Sequence, residues 1–271
     1  MKEVQIQRVT KALGLKRQII GIRFLVFKKE YDASNGIEEN NTTLCSLAQK
    51  AGGGKRVKAK AANFHCLNGA YAIGLLDIPE EVSSGRADFH TGNFESRAVA
   101  RQVFENKQYI PQKIYGIEFS PLETMGDADL VMIIGTAKDM MRIMQGYVRH
   151  YGVAKNVLTV GVGGVCSELI SKPFMNNDIN VSLLSRGARK NGGYSEKEMG
   201  VSFPAHIAGN VLAGILETVN LTENNKPKRE ILERLNYPDE LGFSIRMNYD
   251  YAIQGMEYQK HCDECLLEEN Q

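Results

Sequence analysis

Cys45, Cys66 and Cys166 lie in small-residue, turn-rich settings, and the last two end similar stretches, "GGGKRVKAKAANFHC" and "GVAKNVLTVGVGGVC". The offset that carries Cys66 to Cys166 also carries Gly52 to Gly152, Lys55 to Lys155 and Val57 to Val157. Each stretch reads as a glycine turn, a strand, and a second turn in which the cysteine opens a helix. A thiol there meets the positive end of the helix dipole, which favours the thiolate, the form that binds metals and attacks electrophiles. The spacing is unlike the C-x-x-C pairs of zinc ribbons or ferredoxins. The context is more telling, because α/β folds place ligand sites where strands give way to helices. Three thiolates from three loops suit an iron–sulfur cluster or another metal, with Cys45, Cys66 and Cys166 as ligands. They equally suit a nucleophile with a resolving partner, or small buried hydrophobes.

Other residues could serve such a site. The turn "GVGGVC" lacks the glycine order of the dinucleotide fingerprint and the Gly-Lys-Ser/Thr of a phosphate loop. Gly163 and Gly164 could still let backbone amides approach an anion or the sulfides of a cluster. In "SRGARKNGGYSEKEMG", Arg186 and Arg189 flank Gly187 and would suit a carboxylate or phosphate of a substrate or cofactor; Glu198 could cap or supply a carboxylate. His65 adjoins Cys66, where it could tune the thiol or act as its base, whereas His206 reads as a core residue of an apolar helix. Cys262 and Cys265 in "HCDEC" make half a tetrahedral site and read as accessory. No Ser–His–Asp arrangement or H-E-x-x-H is present.

Periodicity supplies the elements that must position these residues. A helix is expected over about 2–13, then a strand over 19–27. Residues 29–41 read as polar and turn-like, and Thr42 or Thr43 would cap a short helix holding Cys45, Leu47, Ala48 and Ala51. A strand over 56–62, a helix over 66–75, a loop over 79–94 and a helix over 95–105 follow. Strands at 114–122 and 128–135, a helix at 137–151, a strand at 157–162, the helix opened by Cys166 and a strand at 179–185 come next. Residues 185–200 read as a connecting loop and 203–219 as a helix with small residues on one side. Strands alternating with helices argue for an α/β domain, a mixed sheet with flanking helices. The matched order of 19–75 and 114–170 suggests an internal duplication of two related halves, within a single domain over 1–225 followed by a C-terminal extension over 226–271. Both cysteine turns should then end on one side of the sheet, facing each other, with Cys45 nearby.

Composition narrows the classes. Of 271 residues 43% are hydrophobic and 24% charged, and a net charge of +1 leaves no electrostatic footprint for nucleic acid. The basic run at 55–60 reads as a solvated strand edge. No apolar run approaches the roughly 18 residues of a membrane helix, and the start lacks a secretory signal. A cytoplasmic, reducing setting is expected, in which five cysteines are free thiols or ligands.

The blocks "IGIRFL", "LCSLAQKA", "NFHCLNGAYAIGL", "SPLE", "ADLVMIIG", "GVGGVCSELISKPF", "NVSLLSRGAR" and "EMGVSFP" occur in this order. Together they resemble the family called domain of unknown function 169, over about 19–219. Cys45, Cys66 and Cys166 fall in the family's cysteine positions, while the stretch from about 225 onward is not part of the family core. The resemblance implies little about activity; family members look like cytoplasmic proteins of anaerobic bacteria and archaea, a setting compatible with oxygen-sensitive clusters. The expectation is therefore a cytoplasmic iron–sulfur or metal-binding protein with a three-cysteine site in a redox or cofactor-related role, served by a small-molecule or redox partner. The alternatives are a cysteine-nucleophile enzyme acting on a small anionic substrate and a non-catalytic small-ligand-binding module.

Overall fold

A strand whose two faces are both apolar must be covered on both sides. "IGIRFL", with only Arg23 less than fully buried, takes that place at the centre of a seven-stranded sheet. The structure is a computed structural model that describes residues 3–218. The elements are α1 (Glu3–Leu13), β1 (Ile20–Leu25), α2 (Lys28–Ala33), β2 (Ile37–Glu38), α3 (Leu44–Gly52), β3 (Val57–Lys60), α4 (Leu67–Ala72), α5 (Glu80–Ser83), α6 (Arg86–Phe89) and α7 (Arg97–Asn106). They continue with β4 (Gly116–Pro121), β5 (Leu130–Thr136), α8 (Ala137–Tyr151), a π-helix (Gly164–Ser171), α9 (Lys172–Asn176), β6 (Asn180–Ser182), α10 (Arg186–Gly192), β7 (Glu198–Pro204) and α11 (Ala208–Glu217). No helix among the described residues is long and apolar enough to cross a membrane.

The sheet order is β2-β3-β4-β1-β5-β7-β6, with β2 parallel to β3 and the other pairs antiparallel, so the sheet is mixed and the class α/β as expected. Register builds one apolar face: Ile22 stands opposite Phe119, which stands opposite Val57, and Phe24 opposite Ile117, which stands opposite Ala59. On this face lie Leu44, Leu47, Ala48 and Ala51 of α3, Ala70 and Ala72 of α4, and Val165, Leu169 and Ile170 of the π-helix, all in one cluster of buried side chains. Burying apolar area at roughly 25 cal/mol per Å² is what holds these helices to the sheet.

The described chain divides into two compact units. One comprises 16–140 and 154–208 and contains the whole sheet. In the other, Gln5 of α1 donates to the carbonyl of Gly209 at 3.0 Å, and Arg142 of α8 donates to the carbonyl of Ile215 at 2.9 Å. There the backbones of α8 and α11 touch, since a Cβ added at Gly214 would lie 2.2 Å from the Gly146 oxygen. The close approach runs through Gly146 and Gly214, whereas an added Cβ at Gly209 would meet nothing within 4 Å.

Several expectations need correction. Residues 157–162 form no strand; Asn180 stands in for a partner strand, its side chain accepting from Leu158 N at 2.7 Å and donating to Leu158 O at 2.9 Å. The structure does not show the internal duplication, because β3 has no strand as its counterpart there. Residues 198–204 are β7, so Phe203 is in the sheet, the last helix begins later, and His206 is exposed instead of core. Residues 186–192 are helical because Ser185 caps them, its hydroxyl accepting from Ala188 N at 3.2 Å. The basic run is no solvated edge: β3 is internal, and Lys58 is buried, donating to the carbonyls of Tyr31 and Ser34 at 2.7 and 2.9 Å. Residues 226–271, with Cys262 and Cys265, lie outside the described residues.

Candidate functional site

Each of the three cysteines is set by its own local chemistry. Thr43 caps α3 as expected, its Oγ1 accepting from Ser46 N at 3.0 Å, and this places Cys45 in the first helical turn. Cys66 is the residue at which α4 begins, its carbonyl accepting from Gly69 and Ala70. Cys166 lies in the first turn of the π-helix, which starts at Gly163 with φ +78°, a left-handed conformation that glycine adopts without strain. The π-helix runs for eight residues, and π-type hydrogen bonding is rare and recurs at functional sites.

These three elements pack on one another on the apolar face of the sheet. The Ser171 hydroxyl at the end of the π-helix lies 2.8 Å from the Ala72 carbonyl of α4 and 2.9 Å from that of Cys166. A Cβ at Gly69 would lie 3.5 Å from Leu44 Cδ1 and 3.8 Å from Cys66 Sγ, so that sulfur leans toward the neighbour of Cys45. The turns of Cys66 and Cys166 thus open helices that touch, with Cys45 on the helix beside them.

The electrostatics differ from the expectation. All three thiols keep some exposure, yet burial pushes Cys166 up to about 11, and the charge of Cys66 adds to it while Lys107 works the other way. Burial also drives Cys45 far above the usual thiol range, followed by the charges of Cys166 and Cys66, which outweigh the helix amide and Thr43. For these two the helix dipole does not make a thiolate, because desolvation disfavours the charged form more strongly. Placed as they are, no three His, Cys, Asp or Glu side chains among the described residues stand close enough to hold a metal ion.

The supporting residues behave differently from their sequence reading. The glycine turn does cradle an anion, and the anion is the chain's own Glu168. Its fully buried carboxylate accepts from Val160 N at 2.6 Å, Gly161 N at 2.9 Å and Ser182 Oγ at 2.5 Å. Gly164 N is taken by Ser185 Oγ at 3.3 Å, and a Cβ at Gly164 would lie 2.6 Å from Ser185 N. Gly163 is just as closely confined, its added Cβ falling 2.9 Å from Ser167 Oγ and 3.4 Å from Cys166 Sγ. Gly164→Ala is therefore expected to destabilise the protein by roughly 1–3 kcal/mol, read as a lower urea midpoint at unchanged slope.

Arg189 donates to the carbonyls of Leu183 at 2.7 Å, Glu198 at 3.2 Å and Ser195, so it closes the 183–198 segment. Arg186 is exposed at the start of α10. His65 is exposed as well. Glu198 does cap, accepting from Ser195 N at 2.7 Å, and it pairs with Arg17 at 2.6 Å. Arg17 in turn lies 5.1 Å over the ring of Tyr194, whose hydroxyl donates to the Cys45 carbonyl at 3.1 Å. Sequence reasoning passed over Glu168, Ser171 and Tyr194. The available signal was an acid two residues beyond Cys166 inside an otherwise apolar helix, where a carboxylate is rarely buried without partners.

The profile of the family of uncharacterised ArCR proteins, domain of unknown function 169, matches residues 8–214. The chain belongs to this family. The match includes all three clustered cysteines, Glu168 and Tyr194, and stops before Cys262 and Cys265. An uncharacterised protein of the archaeon Methanocaldococcus jannaschii is a relative of this domain of unknown function 169 chain, 22% identical over 212 residues that cover 77% of this chain and 91% of that protein. No solved structure matches the chain.

Proposed function

We propose that this protein binds a soft metal ion or an iron–sulfur cluster through Cys45, Cys66 and Cys166 in a cytoplasmic redox or cofactor-related role. The observation that carries the reading is the packing of α3, α4 and the π-helix, which brings three cysteines from separate parts of the chain into one neighbourhood. Coordination would require the three sulfurs to turn toward a common point. A bound cation would relieve what now opposes ionisation of Cys45 and Cys166, since it replaces lost solvation and screens the mutual repulsion of the thiolates. Thiolate donors select soft metals and iron–sulfur clusters over hard cations. The same electrostatics weigh against Cys45 or Cys166 as a free nucleophile, which needs a lowered thiol pKa.

Anaerobic purification with absorbance, iron and acid-labile sulfide assays tests this. Visible charge-transfer bands with stoichiometric iron, lost in Cys166→Ser and in Cys66→Ser, are expected. A colourless protein that takes up neither iron nor zinc under anaerobic reconstitution would remove the metal reading. Rapid alkylation of a single cysteine near neutral pH, in metal-free protein, would favour the nucleophile instead.

A further inference from the structure

On the sheet face opposite the cysteines, register brings charge together. Lys58 stands opposite Glu118, and Glu118 opposite Arg23. Next to this row is a cavity of about 540 Å³, within the size of small-molecule sites. Its wall includes Arg23, Lys29, Glu30, Ser34, Arg56 and Asp127.

The cations of this wall are only partly used. Arg23 reaches Asp127 through one nitrogen at 2.8 Å. Arg56 gives Nε to Glu118 at 2.6 Å and has one further contact at 3.3 Å with the Thr124 carbonyl. A guanidinium carries five N–H donors in a planar fork, so both arginines keep donors to spare. Lys29 lies 5.6 Å over the ring of Phe27. Glu30, by contrast, is taken by Phe27 N at 2.9 Å.

Behind the wall lies Glu118, fully buried. Its Oε1 accepts from Arg56 and Ser34, both cavity residues, at 2.6 Å each, while Oε2 has no partner. Glu118 is not itself part of the wall; from behind it holds Arg56 and Ser34 in place through Oε1.

We propose that this cavity binds a small carboxylate. The carboxylate of the ligand meets Arg23, Lys29 and Arg56, the last held in place by Glu118. Spare planar donors match a carboxylate in the plane, which a guanidinium recognises with two parallel bonds. The remaining acid of the wall, Asp127, has a side chain 58% exposed, so water screens its repulsion of an anion.

Calorimetric titration of the full chain at constant ionic strength with L-malate, L-aspartate, succinate and inorganic phosphate tests the assignment. Malate, aspartate and succinate are expected to bind saturably below about 10 mM, more tightly than phosphate. Arg23→Gln is expected to weaken that binding roughly tenfold or more, and Lys29→Gln to weaken it less. Arg23 also lowers the carboxyl of buried Glu118, so binding by each variant is read only at temperatures where its melt shows it folded. Absence of saturable binding, or binding unchanged in Arg23→Gln, would overturn the site. Phosphate binding as tightly as the carboxylates would overturn the carboxylate assignment. Cys166→Ser should leave the titration unaltered, which separates this site from the thiols.

Discussion

Glu168→Ala should lower the free energy of unfolding by about 3–5 kcal/mol, among the largest single-residue effects expected in this protein. The carboxylate is fully buried and, among the described residues, is the acceptor for Val160 N, Gly161 N and Ser182 Oγ. Alanine would strand the buried Ser182 hydroxyl, leave the amides of half-buried Val160 and exposed Gly161 to water, and open a cavity besides. Hydrogen bonds to a charged group contribute about 1.5–3 kcal/mol each, and the relief of no longer burying a charge offsets part of the sum. Glutamine keeps the shape, accepting from the amides while presenting an N–H₂ to Ser182, so Glu168→Gln should cost only about 1–2 kcal/mol. The consequence reaches the cysteines. Residues 160 and 161 lead into Gly163, whose left-handed backbone starts the turn of Cys166. Alkylation of Cys166 in Glu168→Ala should therefore be faster than in the parent at temperatures where both are folded. Urea melts and timed labelling with iodoacetamide measure the two effects. A variant within about 1 kcal/mol of the parent would mean that the segment is held by something other than Glu168.

The same residue shows where the sequence was legible and where it was not. Strands β1, β4 and β5 and helices α1, α3, α7 and α8 follow from periodicity, because each buries a stripe or a face that its pattern announces. The Thr43 cap and the helices opened by Cys66 and Cys166 follow from turn chemistry. What failed was the segment 153–163, whose apolar residues look like a strand. Its backbone groups find the side chains of Asn180 and Glu168 instead of a neighbouring strand, and such pairings join positions distant in sequence that no local pattern records. β7 was hidden for a related reason. Gly200 sits where a Cβ would lie 2.4 Å from Leu169 Cδ1, so the strand carries glycine and Ser202 where a helix packs closely and lacks the β-branched run of its neighbours. The candidate site was legible as three cysteines but not as an electrostatic environment. A helix terminus can be read from sequence, whereas the burial that outweighs it at Cys45 and Cys166 cannot.

Charge on the other face of the sheet was equally invisible, and it gives the second large effect. Burial pushes Glu118 up, yet the Arg56 guanidinium and the Ser34 hydroxyl outweigh it and hold the carboxyl below its usual range. A carboxyl lowered in the folded state stabilises fully above its unfolded pKa, and that contribution is lost as pH falls through the folded value. Arg56→Leu should reverse the sign. Burial would then act with only Ser34 and the smaller effect of the Arg23 charge against it, the folded pKa would rise above the unfolded one, and the variant would lose stability as pH rises between the two. At neutral pH the expected cost is about 2–4 kcal/mol, below the full cost of breaking a buried pair because the Arg56 side chain is 30% exposed. Below the lowered folded pKa of the parent both proteins carry a neutral Glu118, and the difference between them should shrink. Adding Glu118→Gln to Arg56→Leu should recover most of the neutral-pH loss, because the stranded charge and not the missing arginine causes it. Unfolding of the parent, both single variants and the double variant at neutral and acid pH closes the cycle. A coupling energy near zero, or a deficit of Arg56→Leu that does not narrow in acid, would show that Glu118 does not depend on Arg56 for its charge.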